Sequence, residues 1–345
     1  MIEEIQLNYK IFKDKSTVIY GASDTGKSTV IKNILFALKD KIHQIIVFVG
    51  NEDCFQSYNT IVPHPLIHRR ITKEILERIW KRQEALMYAF NRANNPAILK
   101  NICLRISDNT YLENKIRELN VARKKCIVGI IHKYNDTIKQ NTYISKVKSI
   151  YQKNLKKIYV NFIKSNEKEL HANNDLTDDE KYTLKYYDIN PRMLIVMDDL
   201  MHCIKNLKNT VFDDIFFQGR HKLITFILSL QDDKGLPSEL RKNSFVNIFT
   251  TRICATSLFN RPSNNYDKEI KDKAREACED TFTSSNSFQK LIHIRKGDLF
   301  FRFTANVIDD SFTFVPKTID DYCRSISSDE NTIDETNPYW DLLKS

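Results

Sequence analysis

The 345-residue chain is long enough for one large domain or two small ones, and its 28% charged and 41% hydrophobic residues are globular in composition. The formal charge of +9 favours an anionic partner, most simply nucleic acid. No apolar run approaches the ~20 residues of a membrane helix, MIEEIQLNYK does not read as a signal peptide, and seven scattered cysteines without a C-x-x-C pair argue against a disulfide framework or structural zinc and for a reduced intracellular compartment.

The first predicted element is a short strand, STVIY, at residues 16–20. GASDTGKS (21–28) follows and matches G-x-x-x-x-G-K-[ST] at every fixed position. Residues 29–40 then carry apolar side chains at helical spacing. Strand, loop and helix is the context a phosphate-binding loop requires. Gly21 and Gly26 open backbone angles closed to larger residues. The N–H groups of the loop and the positive end of the helix then face phosphate oxygens. Gly21, Ala22, Ser23, Asp24, Thr25, Gly26, Lys27, Ser28 and Thr29 are thus assigned to ATP. Lys27 serves the β- and γ-phosphates, and the Ser28 hydroxyl ligates Mg²⁺.

QIIVFVG (44–50) reads as a second strand. A helix is expected over residues 73–90, with Ile75, Leu76, Ile79, Trp80, Met87 and Phe90 on its buried side. Residues 113–164 hold thirteen Lys and Arg against three Asp and Glu, so the basic excess of the chain is concentrated there. Apolar positions from Ile116 to Ile138 and from Ile144 to Phe162 step by three or four, which predicts two amphipathic helices, the first weakened at Gly129. Their basic face suits sequence-independent, salt-sensitive contact with a DNA backbone. A solvated hairpin is the plainer alternative, and Tyr143, Tyr151 and Tyr159 are expected in its core. Thr177-x-x-Glu180 is a capping box opening a short helix.

RMLIVMDDL (192–200) is an apolar run closed by two acids, as in a parallel strand buried on both faces. A carboxylate at such a strand's C-terminal end lies where open α/β sheets bind ligands. Asp198 is therefore assigned to Mg²⁺, and Asp199 to the base or water-orienting role. KLITFILSLQDD (222–233) is a further buried strand, with Gln231 placed to sense the γ-phosphate or attacking water. SFVNIFTTRI (244–253) is a fifth strand, and LIHIRKGDLFFRF (291–303) a β-hairpin turning at Lys296-Gly297. No N-K-x-D is present, which disfavours a GTPase. Residues 327–345 are acidic and turn-prone, and are expected to be a disordered tail whose Tyr339-Trp340 and Leu342-Leu343 offer a docking motif.

The order GASDTGKS, LIVMDD, GRHKLITFILSLQ, LPSELRKNS and IRKGDLFFRF resembles the FtsK–HerA superfamily of DNA-pumping ATPases, and within it the poxvirus-type genome-packaging ATPases of large nucleocytoplasmic DNA viruses. The segment from Arg220 to Asn243 is its specific part. Asp24 departs from the small or neutral residues commoner in such loops. The resemblance implies an α/β P-loop NTPase with a RecA-like (ASCE), mostly parallel central sheet flanked by helices, in which an extra strand separates the P-loop strand from that of Asp198. It also implies a homo-oligomeric ring acting on double-stranded DNA, in which a neighbour supplies an arginine; Arg220, Arg241 and Arg252 are the candidates. Further implied are a capsid or portal-type partner, and residence in the virion and the host cytoplasm. Residues 1–71 and 187–326 are read as the ATPase core and 72–186 as a basic helical insertion. The functional expectation is an ATP-driven translocase that packages a viral genome. A P-loop nucleoside or nucleotide kinase, and a nucleotide-dependent scaffold without turnover, are the alternatives.

Overall fold

A computed structural model describes residues 2–282 and 288–308, together with Phe312 and Phe314. The acidic segment 327–345 lies outside the described residues, as do Cys323 and the Tyr339-Trp340 motif. The chain divides into two compact units. One comprises Met1–Ala85 with the chain from Asn190 onward, and the other is Leu86–Ile189.

The first unit is built on an eight-stranded sheet. Its strands are β1 (Ser16–Tyr20), β2 (Gln44–Val49), β3 (Ile67–His68), β4 (Met193–Asp198), β5 (Ile224–Leu230), β6 (Val246–Phe249), β7 (Gln289–Ile294) and β8 (Leu299–Thr304). The order across the sheet is β3-β2-β4-β5-β1-β6-β7-β8. The six strands from β3 to β6 run parallel, while β7 and β8 are antiparallel. This is the P-loop NTPase fold of the RecA-like type, with β5 standing between β1 and β4.

The central strands are buried along their whole length and mostly apolar because helices cover both faces of the sheet. Val18 and Tyr20 of β1 pack into one layer with Phe226, Leu228, Met197 and Phe212. Ile19 points the other way, against Val30, Ile31, Ile34 and Leu35 of the helix Lys27–Leu38. Each such buried side chain contributes roughly 1.5–3 kcal/mol, so the P-loop helix is held firmly on the sheet. The two-residue β3 has no signal in the sequence, being too short for a period.

Register sets the site. Tyr20 is paired with Leu230 and with Phe249, and Val49 with Asp198. The C-terminal ends of β1, β2, β4, β5 and β6 therefore share one edge of the sheet. The antiparallel β7 begins at that edge, since Leu291 pairs with Phe249. It ends at the opposite one.

The second unit has its own core of Leu99, Ile102, Cys103, Tyr159, Phe162 and Ile163. Two long helices, Thr110–Lys133 and Thr137–Ser165, form an antiparallel pair joined by a short loop capped by Asp136. Only the end near Phe162 is well buried. Tyr159 is buried, Tyr151 donates to Asn120 at 3.0 Å, and the more exposed Tyr143 stacks on Tyr134 with ring centroids 4.8 Å apart. Gly129 sits in open space within its helix. Thr177 and Glu180 form the reciprocal capping box at the helix Asp178–Tyr186. Among the described residues no helix is long and apolar enough to cross a membrane.

Candidate nucleotide site

The loop after β1 has the backbone its glycines imply. Gly26 adopts φ +85°, closing the turn into the helix at Lys27. Gly21 is needed for space: a Cβ there would lie 1.8 Å from Thr250 Oγ1 and 2.6 Å from Thr25 Oγ1. Those two hydroxyls are 2.6 Å apart and tie the loop to the end of β6. Lys27 Nζ donates to the Ala22 carbonyl at 2.8 Å. Asp24 is exposed, at φ +58°, so its carboxylate meets solvent rather than the loop's interior.

Two acids stand at the end of β4, and their environments differ. Asp198 is 1% exposed, and the Tyr58 hydroxyl donates to its Oδ2 at 2.8 Å. Burial raises its pKa above the usual carboxylate range, against the opposing pull of Tyr58 and the Lys27 charge. Asp199 sits at φ +55° and accepts on both oxygens, from Asn51 Nδ2 at 2.8 Å and from Gln231 Nε2 at 3.1 Å. Burial, then Asp198 and Asp199, push the nearby Cys54 thiol up to about 12. Two carboxylates thus stand within the electrostatic reach of the P-loop lysine, whose charge acts on Asp198. Among the described residues no group of three or more His, Cys, Asp or Glu could hold a metal alone. Mg²⁺ takes one or two carboxylates and completes its shell with phosphates and water, and the buried Asp198 carboxylate offers one such ligand.

No family model matches the sequence. A search of curated proteins finds the uncharacterized protein B354L of African swine fever virus (isolate Pig/Kenya/KEN-50/1950), 34% identical over 361 residues, covering 100% of this chain and 97% of B354L. The chain belongs to the B354L family of African swine fever virus. Among solved structures, this B354L-family chain is similar to the genome packaging NTPase B204 of Sulfolobus turreted icosahedral virus 2 in complex with ATP-gammaS. That overlay has a TM-score of 0.42 at 12% identity, covering 86% of this chain and 98% of B204. It is also similar to EssC (ATPases 2 and 3) of Geobacillus thermodenitrificans, with a TM-score of 0.38 at 13% identity, covering 91% of this chain and 43% of that one. At such scores the overlays assign no role to any residue, and the chemistry of the site has to come from its own side chains.

The three arginines separate sharply. Arg241 is 7% exposed and its guanidinium is fully engaged inside the fold, donating to Asn264 Oδ1 at 2.9 Å, the Asp233 carbonyl at 2.9 Å, Ser263 Oγ at 3.0 Å and the Leu236 carbonyl. The expectation that it reaches a neighbour is not met: withdrawing it would leave several buried acceptors unpaired. Arg220 is exposed, but it precedes β5 and so stands at the sheet edge opposite the P-loop. Arg252 follows β6 at the P-loop edge, exposed, with a surface ion pair to Glu279 at 3.4 Å.

Several residues of the site carry no sequence motif. A Cβ at Gly50 would lie 2.0 Å from the Asp199 carbonyl, so glycine is required for β2 and β4 to end side by side. Asn51 caps the helix Glu52–Tyr58 through Cys54 N and holds Asp199 with its amide. Lys290 opens β7, 1% exposed, its Nζ 3.5 Å from where a Cβ would stand at Gly26. Burial lowers its pKa, yet it brings a second amine to the loop.

The raised pKa of Asp198 has a consequence for stability. Above the ordinary carboxylate pKa the folded chain binds more protons at this group than the unfolded chain does. Its charge therefore lowers stability as pH rises through the folded pKa. Asp198→Asn removes that charge and keeps an oxygen for Tyr58. The variant is expected to unfold at a higher temperature than the parent at pH 7 without nucleotide; a lower temperature would mean that the carboxylate is a net stabiliser.

Proposed function

We propose that this protein is an ATP-driven double-stranded DNA translocase of the FtsK–HerA type that packages a viral genome into its capsid. The observation that carries the reading is the convergence of Lys27, Asp198, Asp199 and Gln231 on one sheet edge, with Gln231 bonded to Asp199. Loop amides and Lys27 hold the triphosphate. Ser28 and Asp198 would hold Mg²⁺, which would supply positive charge to offset that of the phosphates. Asp199 takes the proton of the attacking water, and Gln231 fixes the direction of its carboxylate.

The protein works as a ring in which ATP is completed by a neighbour's arginine, Arg252, which is exposed at the P-loop edge. Such a residue supplies ~10³–10⁵ in rate, so the isolated subunit is a poor ATPase. DNA is the polymer moved, and the basic helical pair Thr110–Lys133 and Thr137–Ser165 tracks its backbone. A capsid or portal-type protein is the docking partner, in the virion and in the host cytoplasm where genomes are packaged.

The test is the ATPase rate with and without long duplex DNA, with particle mass measured in the same buffer. Stimulation by duplex, in a ring-sized particle, is the expected result. A rate that ignores duplex but responds to a nucleoside acceptor would make the protein a kinase. Binding without turnover would leave a scaffold.

A further inference from the structure

The three segments GRHK, LRKNS and IRKG do not belong to the nucleotide site. They converge elsewhere. Arg220 lies before β5, Lys242 and Asn243 before β6, and Arg295 and Lys296 after the antiparallel β7, so topology brings them all to the sheet edge opposite the P-loop. There they line a cavity of about 270 Å³ together with Phe217, Ser244 and Phe245. Among the described residues, four cations and no acid form its wall.

The two guanidinium groups rest on rings that cannot neutralise them. Arg220 Cζ is 5.0 Å from the Phe245 centroid, and Arg295 Cζ is 5.7 Å from that of Tyr266. Arg295 also donates to the Arg241 carbonyl at 3.4 Å, and Arg220 to His221 at 3.2 Å. Among the described residues Lys242 and Lys296 have no hydrogen-bond or ion-pair partner. The nearest carboxylate on the turn, Asp298, is engaged by His293 at 3.0 Å. Bringing like charges together in a folded chain is unfavourable unless an anion offsets them.

We infer that this cavity is a phosphate site gripping the backbone of a nucleic acid, at the sheet edge opposite the ATP site. Four cations spread around one wall, two of them on aromatic rings, match a row of phosphodiesters better than a single free ion. The inference rests on the translocase reading for the polymer's identity only; the site itself is independent of the P-loop.

The test is duplex binding by the full chain as a function of salt, with basal ATP turnover and inorganic pyrophosphate binding measured in parallel. Lys242→Ala with Lys296→Ala is expected to lower the slope of log affinity against log salt by about 2, close to one per lost phosphate contact. Basal turnover without DNA stays unchanged. Lys242→Arg with Lys296→Arg is expected to keep the parent slope, which a merely structural role for the lysines would not predict. An unchanged slope in the alanine variant overturns the proposal, even where turnover confirms the ATPase. So does loss of pyrophosphate binding with an unchanged duplex slope, which would make this a site for free phosphates. A parent protein with no turnover but the predicted slope change would sink the ATPase reading and leave this one standing.

Discussion

Lys27→Ala is expected to reduce ATP turnover at least about 10²–10³-fold, to background. Removing one preorganised donor from a site of developing charge has effects of that size, and Lys27 is a mobile cation on the loop itself. Its ammonium lies on the Ala22 carbonyl and within the electrostatic reach of Asp198. A triphosphate arriving there replaces a neutral acceptor with anionic oxygens, a stronger partner for the same donor. The fold does not depend on that contact, because the helix Lys27–Leu38 is anchored by Val30, Ile31, Ile34, Leu35 and Leu38. The far-UV circular dichroism and unfolding temperature of the variant should therefore match the parent's. Lys290 makes the prediction sharper. Its Nζ also approaches Gly26, so residual nucleotide binding in the variant is expected while hydrolysis is lost. A turnover rate close to the parent's would remove the P-loop assignment, and with it the role of every acid across the cleft.

Whether a residue of the site was legible in the sequence depends on where it stands relative to its strand. Parallel strands covered on both faces read as near-continuous apolar runs, so β1, β2, β4 and β5 were visible as runs. Residues just after those runs, Gly21, Asp198, Asp199 and Gln231, then fall at one edge by topology alone. The same rule puts Arg220, read from the sequence as a candidate for a neighbour's ATP site, at the other edge, because it precedes its strand. The place of Arg241 was not legible. Its burial depends on Asn264, Ser263 and the Asp233 carbonyl, reached through separate turns that no period announces. Tyr58 is hidden for a similar reason: it reaches Asp198 from the last turn of a seven-residue helix. Lys290 required the direction of β7. Only an antiparallel strand starts at the P-loop edge, and LIHIRKGDLFFRF names a hairpin without saying which end faces the site.

Asp199→Asn should separate binding from chemistry. The parent carboxylate accepts one amide on each oxygen, Asn51 at 2.8 Å and Gln231 at 3.1 Å. Asparagine tolerates the left-handed backbone at φ +55° as aspartate does, so the turn after β4 is kept. It offers only one acceptor, however, and its NH₂ would face an amide donor. Asn51 cannot readily flip, because its own oxygen caps the helix Glu52–Tyr58 through Cys54 N. Gln231 flips instead, presenting its oxygen to the new NH₂. The variant thus loses the proton acceptor without losing the loop or Asp198. Nucleotide affinity should stay near the parent's while the hydrolysis rate falls about 10²–10⁴-fold, the usual contribution of a positioned base. Gln231→Ala offers the contrast: it leaves the carboxylate in place with one fewer partner, so its loss of rate should be the smaller. Normal hydrolysis by the asparagine variant would mean that some other group takes the proton. A fall in affinity as large as the fall in rate would mean that Asp199, rather than Asp198 alone, meets the metal.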